Sequence, residues 1–272
     1  MLLKRLFHFF IFSNIWVAFC VLALALSSEI LIETSNYKIS QFVFFATIFT
    51  YNFQSVVRVD KGQKHTRRVW LFKNKIAIYL LMLVGMIMSI YRFIDFKSST
   101  QIVVVLSGVL SVLYPFGIMK IPFTKIFIIS LVWTISTMLL LVLENNIPLN
   151  QNVLLQLIAR FLFVFAITIP FDIRDLKFDD KQLKTIPIIF GVHKSKLISI
   201  SALFIAELLM VFLFLYQQVL LVHLIAIIFV LLVASIFIIK SDINRSDLYY
   251  SFWVEGLSLF FYIILGFSSL MF

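Results

Sequence analysis

The chain reads as long apolar runs separated by short polar stretches, with almost no alternation inside a run. A bilayer core takes about 20 mostly apolar residues per helix, with roughly 17–25 tolerated. Nine runs meet that requirement: Phe9 to Leu26, Ile39 to Val57, Lys75 to Tyr91, Thr100 to Phe116, Ile126 to Leu143, Val153 to Ile169, Leu197 to Leu215, Val219 to Ile239 and Leu248 to Leu270. A membrane β-barrel needs strands that alternate apolar and polar residues. The stretch Ile225-Ala226-Ile227-Ile228-Phe229-Val230-Leu231-Leu232 does not alternate. The pattern predicts an all-α, multi-pass integral membrane protein of nine transmembrane helices forming a single domain over residues 1–272.

Composition agrees. Hydrophobic residues make up 62% and charged residues 13%, against roughly 45–50% and about 25% in an ordinary soluble domain. A soluble core has no room for this much apolar surface, and a disordered chain does not carry it. Cys20 is the one cysteine, so no internal disulfide staples the chain.

The net charge of +10 would suit a nucleic-acid partner, but its distribution points to the membrane instead. Lys and Arg concentrate in alternate connections, 19 of 23 on one face of the predicted bundle. Cytoplasmic loops retain such residues, which places the N-terminus inside and the C-terminus outside, as in a bacterial cytoplasmic membrane. Lys4, Arg5, the first apolar run and Ala23-Leu24-Ala25 also fit a cleavable leader, but the run is long enough to span. Pro115, Pro122, Pro148 and Pro187 fall at or beside helix ends, where a missing N–H costs little.

Carboxylates are costly near a bilayer, so their clustering is informative. Four of the 13 acidic residues fall within nine positions, as Asp172, Asp175, Asp179 and Asp180. On a continuing helix the first three are spaced i, i+3, i+7 and share a face. They repel one another unless a cation lies between them, and Mg²⁺ is typically held by one or two carboxylates plus substrate phosphates. A solvated loop neutralised by Arg174, Lys177, Lys181 and Lys184 is the alternative. A second polar patch follows the second span: Asn52, Asp60, then Lys61, Lys64, His65, Arg67 and Arg68. Cations near carboxylates on one face suit a diphosphate.

Two such motifs in a nine-helix chain resemble the UbiA superfamily of intramembrane prenyltransferases. The segment DIRDLKFDDKQLKTIPIIFG, from Asp172 to Gly191, is similar to that family's second Asp-rich motif, with Asp175 and Asp179 on its DxxxD pair. Thr185, Pro187 and Gly191 follow as in the family. Tyr114 and Lys120 resemble its Tyr…Lys element. Asn52 to Asp60 resembles the first motif, NxxxDxxxD, with Val56 where the middle aspartate belongs, Phe53 after the Asn, and Val69 after Arg67-Arg68 where an Arg-Pro pair is common. The resemblance implies Mg²⁺ held by Asp60, Asp172, Asp175 and Asp179, with Asp175 and Asp179 catalytic. It also implies a polyprenyl diphosphate contacted by Asn52, Arg67, Arg68 and Lys120. The prenyl group would pass, through an allylic cation sheltered in an apolar cavity, to a lipophilic aromatic or quinone-type acceptor. Val56 favours another class, a non-catalytic lipid-binding or assembly protein of the same fold. A secondary transporter would show paired helix breaks in two related halves; there are only 7 Gly and no evident repeat.

Arg160, Glu207 and Glu255 interrupt apolar spans. Arg160 lies roughly 18 Å along a helix from Asp172, and Glu207 sits at similar depth on the next span, so the two are expected to neutralise each other. His223 is expected at the interface, and Glu255 carries no assignment from sequence.

Overall fold

The protein was analysed as a computed structural model, which describes residues 2–60, 68–113, 122–177 and 184–270. Among these, every regular element is helical. The order is α1 (Leu2–Phe12), α2 (Ile15–Leu31), α3 (Tyr37–Asp60), α4 (Arg68–Lys73), α5 (Lys75–Ile94), α6 (Ser98–Leu113), α7 (Thr124–Thr134), the π segment π1 (Ile135–Leu139) and α8 (Leu140–Glu144). Then come α9 (Gln151–Asp175), α10 (Ile186–Leu215), α11 (Leu221–Ile239), π2 (Tyr249–Val254) and α12 (Glu255–Ser269). Seven described helices are long and apolar enough to cross a membrane, and the bent α1–α2 pair makes an eighth. The described part of α6 has 16 residues and falls below that length.

The core follows from which spans are enclosed. α9 is the most buried and packs against α10 and α7, while α2 lies against α3 and α12. Small residues permit close approach where lipid offers no hydrophobic drive between helices. A Cβ added to Gly85 of α5 would stand 2.9 Å from the Phe45 carbonyl oxygen of α3. The outer faces of α5, α6, α10 and α11 leave large side chains such as Leu83, Ile87, Val105, Leu208 and Ile225 exposed. In water such a surface would be untenable; in lipid it costs nothing.

Three features depart from the sequence pattern. The first run is no straight span, because α1 and α2 meet at 60°. Asn14 supplies the break with φ 60°, a left-handed conformation that asparagine tolerates. The amphipathic α1, with Lys4 and Arg5 beside exposed Leu3 and Leu6, thus leaves the axis of the span.

Pro170 lies inside α9. A proline there leaves the carbonyl four residues earlier without its helical donor. That carbonyl, of Ala166, accepts a hydrogen bond from the Ser199 hydroxyl of α10 at 2.7 Å, and Ser199 is fully buried. The kink-prone position is therefore repaired by the helix packed against it.

Arg160 does not pair with Glu207. Its Nη2 donates to the hydroxyls of Ser27 at 2.8 Å and Ser28 at 3.0 Å on α2, and the guanidinium lies 5.1 Å from the Phe261 ring centre. Two hydroxyl acceptors and a π face at hand on α2 and α12 satisfy part of the charge where the facing helix does not present the carboxylate. Glu207 is half-buried on α10.

Candidate active site

Asp172 and Asp175 occupy the last turn of α9, where the helix dipole disfavours negative charge. Cations must therefore be close, and they are. Lys125, in the first turn of α7, brings its ammonium to 2.7 Å from Asp172 Oδ1 and 3.3 Å from Asp175 Oδ2. Arg174 donates from Nε to Asp175 Oδ1 at 2.8 Å and from Nη1 to Asp247 Oδ1 at 3.0 Å. Asp172 is 1% exposed, so its charge has little water to fall back on and depends on Lys125.

Lys125, Asp172, Arg174 and Asp175 border a cavity of about 440 Å³. Its walls come from the α1–α2 break, α3, α5, α6, α7, π1, α8, α9, π2 and α12, and the apolar end is lined by Val17, Val21, Phe42 and Leu140. Phe42 and Arg58 both line it from α3, a separation of roughly 24 Å along the helix. The hollow therefore runs from a charged rim into the apolar middle of the bundle. Among the described lining residues Arg58, Lys125 and Arg174 balance Asp172, Asp175 and Glu255. Neutral polar groups are interspersed along the walls, among them Thr47, Ser107, Ser136 and Thr168; the Tyr51 hydroxyl accepts from Trp133 Nε1 at 2.8 Å, and Gln54 donates to the Ser111 carbonyl at 2.9 Å.

The residues expected from sequence divide sharply. Asp172 and Asp175 are brought together at the cavity rim. Asn52 is fully buried but faces elsewhere: its Nδ2 donates to the carbonyls of Ser13 and Ile48, each at 2.9 Å, and its Oδ1 accepts from Asn14 Nδ2 at 3.0 Å. Asn14, not Asn52, lines the cavity. The cavity stripe of α3 is Thr47, Tyr51, Gln54 and Arg58, about one residue's rotation away from the Asn52–Val56 stripe. Val56 packs on an apolar cluster of Val59, Leu71 and Ile78 under α4 and α5. Asp60 closes α3 and Arg68 opens α4, but their side chains lie outside the described residues, as do Tyr114, Arg67, Lys120, Asp179 and Asp180.

The structure adds Lys125 and Arg58, to which the sequence pattern gave no role, and gives a place to Glu255, which it left unassigned. Lys125 immediately precedes the apolar run that begins at Ile126 and counts among the loop cations. Arg58 was visible only as one of many loop cations. Glu255 stands on the cavity wall one turn after Ser251, at the junction of π2 with α12; π turns often mark functional positions.

Two carboxylates converge on one positive charge, so the space between them suits a cation, and oxygen donors suit Mg²⁺. Among the described residues no cluster of three or more acidic, His or Cys ligands forms. Two protein oxygens completed by water and phosphate is the arrangement Mg²⁺ usually adopts. The residues present fit that ion.

The structure is a bundle of membrane-spanning helices that encloses a largely apolar hollow with paired aspartates at its rim. The chain belongs to the UbiA prenyltransferase family, whose model matches residues 66–264. Solved structures share the fold. A UbiA homologue from Aeropyrum pernix K1 superposes with a TM-score of 0.72 at 13% identity, covering 93% of this chain and 97% of that one. A homologue from Archaeoglobus fulgidus bound to GPP and Mg²⁺ gives 0.67 at 14% identity, covering 93% and 95%. A structure concerning digeranylgeranylglyceryl phosphate synthase gives 0.59 at 15% identity, covering 98% of both chains. No curated protein sequence is a significant match to the chain.

Proposed function

We propose that this protein is a Mg²⁺-dependent prenyltransferase that moves a polyprenyl group from its diphosphate to a lipophilic, aromatic or quinone-type acceptor within the membrane. The observation that carries the reading is the convergence of Asp172 and Asp175 on a single cation at the rim of the apolar cavity. The A. fulgidus homologues bound to Mg²⁺ with GPP or DMAPP support it.

In this reading Asp172 and Asp175 hold the ion, and Asp60 and Asp179 join them by motif. When bound, Mg²⁺ would offset the negative charge that builds on the departing diphosphate. Lys125 and Arg58 line the cavity where phosphate oxygens would lie and bind them, with Arg67, Arg68 and Lys120 assigned supporting contacts by resemblance. The apolar walls exclude water, which would otherwise capture an allylic cation. The rings of Tyr51 and Trp133 offer π faces to that cation. Nine spans in one domain over residues 1–272, with the N-terminus on the cytoplasmic side of a bacterial membrane, complete the proposal.

A radiolabelled prenyl diphosphate series incubated with membranes, with and without EDTA, tests it. Mg²⁺-dependent diphosphate release that disappears in Asp175→Ala supports the enzyme. A non-catalytic lipid-binding role is favoured by one observation, the packing of half-buried Val56 against an apolar cluster where the family motif carries an acid. That role is the conclusion if no chain length and acceptor yields release.

A further inference from the structure

Arg174 joins the cavity rim to the connection before π2. Its guanidinium spans Asp175 and Asp247, residues from the end of α9 and from the α11–π2 connection, at 2.8 and 3.0 Å. The ring centres of Phe171 and Tyr250 lie 5.2 and 5.9 Å from it. A planar fork with fixed donor directions, held between aromatic rings, has few other arrangements open to it. Both oxygens of Asp175 are thus engaged, Oδ1 by Arg174 and Oδ2 by Lys125.

We propose that Asp247 is a positioning residue: by holding the far side of the Arg174 guanidinium it sets how firmly Arg174 grips Asp175, and so how readily the rim accepts a divalent cation. The inference rests on the metal-dependent reading above and deepens it. A cation arriving at Asp175 competes with Arg174 for the same carboxylate. Lys125 lines the cavity, where an incoming phosphate can take its charge. Arg174 lines the cavity too, but its Nη1 reaches the connection, where the Asp247 carboxylate accepts it at 3.0 Å. Without Asp247 the guanidinium leans more heavily on Asp175, its remaining hydrogen-bonded carboxylate. The two aspartates therefore share one arginine, and a metal at one shifts the arginine toward the other.

The test uses the full chain in lipid nanodiscs, without substrate, titrated with Mn²⁺ while free Mn²⁺ is read by electron paramagnetic resonance. Asp247→Asn is expected to weaken Mn²⁺ binding about fivefold, the size of coupling found between contacting charged residues. Arg174→Gln removes the competitor and is expected to tighten binding. In the Arg174→Gln background the Asp247→Asn change is expected to have no effect, because its route to the metal is gone. Equal weakening in both backgrounds would show that Asp247 acts as a bare charge, and no weakening in either would show that it does not act; both overturn the proposal while leaving the metal site standing. If the wild-type chain binds no Mn²⁺, the metal reading fails and takes this inference with it. Should Arg174→Gln not be recovered folded, Arg174→Lys replaces it, since an ammonium lacks the separate Nε–H and Nη–H donors that reach Asp175 and Asp247, and the same loss of coupling is expected.

Discussion

Asn14 and Asn52 hold one another across the break in the first span, the Nδ2 of Asn14 donating to the Oδ1 of Asn52 at 3.0 Å. The Asn52 amide also donates to the Ser13 carbonyl, a backbone group exposed where α1 turns away from α2, and to the Ile48 carbonyl within α3. An asparagine of the expected substrate motif therefore serves the hinge that shapes one wall of the cavity.

Replacing Asn52 with Leu strips three buried hydrogen bonds and leaves the Ser13 carbonyl and the Asn14 amide short of partners. Each orphaned group costs about 1–3 kcal/mol. Thermal unfolding in detergent is expected to move down by several degrees. Affinity for a prenyl diphosphate in the protein that stays folded is expected to change far less than in Lys125→Met. A larger effect on binding than on stability would place Asn52 at the substrate after all.

Restoring the family's acid by Val56→Asp is expected to fail. The side chain would enter the cluster of Val59, Leu71 and Ile78, and a carboxylate among apolar groups is destabilising unless paired. The measurement is diphosphate release per folded protein, alongside the unfolding midpoint. A gain in release would show that the α3 helix turns to bring position 56 to the rim.

Lys125→Met deprives Asp172, 1% exposed, of its closest counter-charge. Loss of one preorganised charge at a reacting centre commonly costs roughly 10²–10³ in rate. The expected outcome is a fall of that order in diphosphate release, with Lys125→Arg recovering part of it. Release unchanged in Lys125→Met would remove this residue from the catalytic rim.

Ser199→Ala orphans the Ala166 carbonyl beneath Pro170 and is expected to destabilise the chain by about 1 kcal/mol. In a Pro170→Ala background the helix regains its own N–H donor, so the same substitution should cost much less. Denaturation of the four variants in a double-mutant cycle measures the coupling. Additive effects would mean that the serine bond repairs nothing.

Sequence alone determined that the chain crosses a membrane as helices, because burial of apolar residues in lipid adds up locally along each run and needs no partner. It also determined the second aspartate motif, since a helical repeat places Asp172 and Asp175 on one turn whatever packs beside them. Tertiary structure decided which cations those carboxylates meet. Lys125 is 47 residues from Asp172 along the chain, and only the packing of α7 against α9 brings them to 2.7 Å. The same holds for Arg160, which sequence depth matched to Glu207 and packing gave to Ser27 and Ser28. It holds for Pro170, whose place inside α9 is tolerable because α10 brings Ser199 to it. The physical reason is shared: the cost of a charge or an orphaned carbonyl is written in one residue, but the group that offsets it is chosen by the rotation and contact of a different helix. A rotation of about 100° per residue separates the stripe of α3 that lines the cavity from the one that carries Asn52 and Val56.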